Sequence, residues 1–145
     1  METITQEKPS QMIRFALEAL REAEEPDAKV KPDMGTWHEI RNGQCFACLG
    51  GLAANKRFGF DPNVDLRPTE YISQLGKEIY NEANAYENAL NAFRLGNVVY
   101  AFNQLSLQLP KTMDSYRVIV GYNENRELFH QQMNELASDL EASGC

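Results

Sequence analysis

The stretch GQCFACLGGLAANKRFG, Gly43 to Gly59, decides how the chain is read. Cys45 and Cys48 stand at CxxC spacing, with Trp37-His38 upstream and the pair Gly50-Gly51 just after. Read as a helix from Gln44 to Arg57, the stretch is apolar almost all round until Asn55. Cys45, Cys48, Leu49 and Leu52 then share one side, and Ala47, Gly50, Gly51 and Ala54 the other. A helix apolar on every side belongs in an interior. Each glycine costs a helix about 1 kcal/mol against alanine, so two in succession require a packing reason. The small side therefore predicts a close helix–helix contact near Gly50 and Gly51.

The segments around it keep the helical period. In SQMIRFALEALREAEE, Ser10 can cap a helix whose apolar arc runs from Met12 to Ala23. Pro26 stops it, and residues 26–36 read as a loop. WHEIRNG reads as a short helical turn ending at Asn42-Gly43. After turn signals between Phe58 and Pro68, Thr69 can cap the longest pattern. There Ile72, Leu75, Ile79, Ala83, Tyr86, Leu90 and Phe93 recur at steps of three and four. A break near Asn84 is compatible with it. Gly96 suits a helix end, and Asn97 can cap a further helix ended by Pro110. SYRVIVGY, Ser115 to Tyr122, is the one strand-like run, and with no obvious partner strand it reads equally as a connector. A last helix from Asn123 carries Phe129, Met133, Leu136 and Leu140 on one face. These elements predict an all-α fold: one domain over residues 1–145, a bundle of five or six helices around a buried short central helix. Residues 1–9 read as a flexible tail.

The chain has 14 basic and 21 acidic side chains, a net charge of −7. Residues 1–70 carry 9 basic and 12 acidic groups, and residues 71–145 carry 5 and 9, so neither half is basic. That argues against direct binding to nucleic acid or an anionic membrane surface. No apolar run is long enough to span a bilayer, and the polar start METITQEKPS does not resemble a secretory signal. The expectation is a cytoplasmic setting, in which three cysteines do not imply a disulfide framework.

Cys45 and Cys48 are the first candidates for chemistry. A thiol near a helix N-terminus is more readily ionised, and CxxC spacing suits a disulfide or a metal. The βαβ context of redox CxxC motifs is absent, however, and a structural zinc site would need four ligands. Only His38, His130 and Cys145 remain, scattered along the chain. The leading reading is two buried core cysteines, with no metal or cofactor. A thiol enzyme with Cys45 or Cys48 as nucleophile and His38 or His130 as base is the alternative. On the bland reading His38 is a loop residue, His130 a helix-surface residue and Trp37 part of the core. Asn81, Asn84, Asn88 and Asn91 form a stripe opposite the apolar face of the long helix, an odd choice for a mediocre helix former. Glu124, Glu127, Glu135 and Asp139 lie within about a third of the last helix's circumference, either a solvated face or a surface for a basic partner.

Two segments, Trp37…GQCFACLGGLAA and Ala89-LNAFRLGNVVYAF, resemble small accessory proteins of tailed bacteriophages. The resemblance implies a protein that binds a host protein and redirects or blocks it, and carries over no functional residue. The reading that results is a non-enzymatic, acidic interaction protein, acting in host cytoplasm if phage-encoded, with Glu124, Glu127, Glu135 and Asp139 as the partner-binding surface. A homodimer through the heptad-like steps of the last helix is compatible with it. The second reading is a thiol-dependent enzyme or redox sensor using Cys45 and Cys48.

Overall fold

A computed structural model describes residues 7–36, 38–59 and 76–145. Trp37 and the predicted Thr69 cap lie outside the described residues, as does most of the loop expected before that cap. The described chain runs α1 (Pro9–Ala23), β1 (Val30–Pro32), β2 (His38–Arg41), β3 (Gln44–Ala47), α2 (Leu49–Phe58), α3 (Lys77–Arg94), α4 (Val98–Gln104) and α5 (Arg126–Ala142). The fold is mixed α and β, which corrects the all-α expectation.

The correction sits in the quoted stretch. Gln44 to Ala47 is a strand, and the helix begins at Leu49 with Cys48 as its extended N-cap. Asn42 and Gly43 both have positive φ, 52° and 77°, the conformation a two-residue hairpin turn requires. They fold β2 back on β3 with Arg41 opposite Gln44. WHEIRNG is therefore a strand and a turn, not a helical turn. β1 pairs with β3 in parallel, giving the order β1-β3-β2. Pro32, which has no N–H to give, sits at the end of an edge strand.

The helices follow their apolar periods. Pro9 opens α1 at a position where a missing N–H costs nothing. Pro9, the last residue of the expected tail, is helical and buried. Met12, Ile13, Ala16, Leu17 and Leu20 face inward and meet Phe129, Met133, Leu136, Ala137 and Leu140 of α5 in one core. Each large side chain buried this way contributes about 2 kcal/mol. The exposed pairs Arg14–Glu141 and Arg21–Glu127 along the same seam add little beside it. A homodimer through this α5 face would first have to displace α1.

α1 also packs on α2, α2 on α3, and α3 on α4. The predicted close contact is present: a Cβ on Gly50 would stand 2.5 Å from the Glu87 carbonyl oxygen of α3. α3 is unbroken at Asn84. Asn97 caps α4 by accepting from the Tyr100 N–H, and Asn125, not Asn123, caps α5 by accepting from the Leu128 N–H. The strand-like run 115–122 is an extended strap, held to the α3–α4 corner by a bridge between Tyr116 and Asn97.

Candidate functional site

The hairpin register sets the first grouping. His38 lies opposite Ala47 and Cys45 opposite Ile40, so His38 and Cys45 are diagonal neighbours on one sheet face. His38 Nε2 stands 3.2 Å from Cys45 Sγ, and both side chains are buried. His38 is thus a buried strand residue rather than a loop residue, and the structure brings it to Cys45, one of the two cysteines the sequence offered as nucleophile.

Cys48 is placed differently. An odd offset along extended chain turns Cys45 and Cys48 to opposite faces. Three extended steps of about 3.3 Å separate their Cα atoms by ~10 Å, beyond the ~7 Å reach of a disulfide. CxxC spacing that would suit a helix therefore does not make a dithiol pair here. Burial pushes the Cys48 thiol up, and the Glu87 charge adds to this. Hydrogen bonds to its sulfur from the Gly51 N–H and Asn91 oppose the shift without reversing it. A reactive thiolate is not what this pocket stabilises. Among the described residues no group of three metal-ligating side chains occurs.

Asn91 ties Cys48 to α3. Its Nδ2 donates to Cys48 Sγ at 3.3 Å, and its Oδ1 accepts from the Gly50 N–H at 3.1 Å and Arg94 Nε at 3.2 Å. Arg94 Nη2 donates to the Met34 carbonyl at 3.0 Å. Thr36, Cys48, Asn84, Asn88, Asn91 and Arg94 line an open cleft of about 310 Å³ between the β1–β2 loop and α3. The asparagine stripe is therefore the wall of a cleft, except for the exposed Asn81.

On the other side of Asn88 and Asn91 a larger groove, about 520 Å³, is lined by Ala92, Leu95, Asn97, Tyr100 and Tyr116. Its apolar lining is exposed, Leu95 at 67% and Tyr116 at 68%, and Val118, two residues along the strap, is 90% exposed. Leu95, Tyr116 and Val118 were not singled out from sequence. The signal available was an apolar strand-like run with nothing to pair with.

The four acidic candidates divide. Glu127 pairs with Arg21 at 3.0 Å and Asp139 with Arg117 of the strap at 2.5 Å. Glu124 and Glu135 stay exposed. Gln132 accepts from the strap's Val120 N–H at 2.7 Å. Glu135, between Gln132 and Asp139 at helical spacing, so borders the strap. His130, expected on the surface, is buried, with Nε2 3.0 Å from Glu24 Oε2. It lies on α5 beside α1 and does not share the Cys45 site.

No helix among the described residues is long and apolar enough to cross a membrane. Comparison with known proteins yields no match: no family model fits the chain, and neither a curated protein nor a solved structure is similar to it.

Proposed function

We propose that the protein works by binding another protein through the groove lined by Leu95, Tyr100 and Tyr116, with the exposed Val118 further along the strap. The observation that carries this reading is the exposure of large apolar side chains lining an open groove, Leu95 at 67% and Tyr116 at 68%. Such clusters are rarely left to water without use, and aromatic anchors in a groove resemble binding hot spots. The strap 115–120 adds an extended backbone beside the groove, the geometry that strand addition by a partner uses. A net charge of −7, with Glu124 and Glu135 exposed, favours a partner that surrounds its apolar contact with basic residues. That the partner is a host protein is carried by the resemblance to phage accessory proteins alone.

The test is affinity capture from host lysate with wild type, Leu95→Asp/Tyr116→Asp and Glu124→Lys/Glu135→Lys, each checked for native circular dichroism. The apolar double variant loses the captured protein, and the charge reversal weakens capture most at low salt. Capture unaffected by the apolar pair would end this reading.

The 3.2 Å contact of His38 and Cys45 favours a second reading, thiol chemistry at Cys45. Rapid labelling of Cys45 by a thiol reagent near neutral pH, slowed strongly by His38→Gln, would support it. Labelling of Cys45 only after denaturation would reject it.

A further inference from the structure

Arginine partners single out one place on the molecule. Arg14, Arg21, Arg41, Arg57, Arg117 and Arg126 each stand by a carboxylate. Arg94 alone among the described arginines does not. Its bonds are the two neutral ones, to Asn91 Oδ1 and the Met34 carbonyl, and its Nη1 has no partner among the described residues. It is half-buried, and burial lowers its pKa. A guanidinium taken partly out of water with no anion beside it is costly unless an anion visits.

The surroundings suit such a visitor. Arg94 lines the 310 Å³ cleft together with the amides of Asn84, Asn88 and Asn91 and the Thr36 hydroxyl. Asn84 makes no side-chain hydrogen bond among the described residues. The N-terminal end of α2, with its positive partial charge, meets the same cleft at Cys48. A guanidinium fork presents parallel donors matched to a planar or tetrahedral oxyanion, and side-chain amides complement neutral polar groups next to it. The volume is that of a small-molecule pocket at the lower end of the usual range.

We propose that the cleft binds a small polar molecule carrying an oxyanion, carboxylate or phosphate, held by Arg94 and oriented by Asn84, Asn88 and Asn91. This cleft shares the Asn88–Asn91 wall with the apolar groove but lies on its other side, and the proposal does not depend on the protein-binding reading. Binding next to Asn91, which anchors α2 to α3, would also stiffen that helix contact.

Nuclear magnetic resonance titration with succinate and, separately, inorganic phosphate, each at constant ionic strength, tests it. Wild type shows saturable shifts of the Asn84, Asn88 and Asn91 side-chain amides with at least one probe, and which probe acts tells carboxylate from phosphate. Arg94→Gln weakens the affinity about tenfold to hundredfold, and Arg94→Lys, which keeps the charge but not the fork, falls between. Asn84→Leu fills the cleft and abolishes the shifts while leaving Arg94 and its two bonds in place, so it carries the test if Arg94→Gln does not fold. Absence of shifts with both probes, or equal affinity in wild type and Arg94→Gln, overturns the proposal.

Discussion

At Gly50 one missing atom sets the distance between two helices. The Glu87 carbonyl oxygen would be 2.5 Å from an added Cβ, and the Glu87 Cα and Asn91 Nδ2 each 2.9 Å. The first two are backbone, so only a shift of α2 away from α3 relieves the overlap. That shift would also lengthen the Gly50 N–H to Asn91 bond. The higher helix propensity of alanine returns about 1 kcal/mol, less than the overpacking costs. Gly50→Ala is expected to lose about 1–3 kcal/mol net in urea denaturation. A variant as stable as wild type would show that α2 and α3 are not in this contact. The need for small residues here was legible in the sequence, because two adjacent glycines inside an apolar helix had no other use. The neighbour they admit was not legible, since Glu87 lies 37 positions along the chain.

The junction of α1 with α5 is built around Glu24, and its charge makes the helix pair sensitive to acid. Burial raises the Glu24 pKa, but hydrogen bonds from Tyr122 and His130 and the nearby positive charges outweigh it, so the net shift is downward from an ordinary value of 4.5. Tyr122 donates to Glu24 Oε2 at 2.6 Å, and Arg21 and Arg126 approach the same carboxylate at 3.3 and 3.9 Å. A group with a lowered folded pKa adds stability that is present above its unfolded value and disappears as pH falls through the folded one. Glu24→Gln should therefore be less stable than wild type at neutral pH, by about 1–3 kcal/mol, with the gap closing below pH 4.5. Equal acid dependence in the two proteins would remove Glu24 from this role. Elements like α1 and α5 were readable because a sustained 3.6-residue period leaves few alternatives. The sheet was missed for the opposite reason. Gln44–Ala47 is too short an apolar run to show a period, and Asn42-Gly43 suits the end of a helical turn as well as a hairpin. β1 pairs with β3 only through a non-local parallel contact that no local pattern announces. The Arg94 cleft was hidden likewise, because an arginine without a carboxylate is recognisable only when the spatial neighbours are known.

Across the whole molecule a single apolar core joins α1 to α5 on one side and to α2, α3 and α4 on the other, with Ala47 of β3 inside it. Cys45 and Cys48 lie buried at the sheet end and Leu136 of α5 in the other seam, while Cys145 is only partly buried. If this core opens as one unit, a cavity on the α5 side must loosen the sheet side equally. Leu136→Ala should cost about 3 kcal/mol, since a fully buried leucine leaves a void the packing only partly closes. Where labelling follows the open population, that loss raises the rate at which a thiol reagent reaches Cys45 and Cys48 by about a hundredfold, one factor of ten for each ~1.4 kcal/mol. Cys145 labels without global opening and should change far less, which makes it an internal reference in the same sample. The decisive comparison is between the thiol rates and the stability loss measured by circular dichroism. Matching values mean that the small sheet and the α1–α5 pair share one cooperative transition. A stability loss with Cys45 and Cys48 as protected as before would divide the molecule into two units that meet at α1.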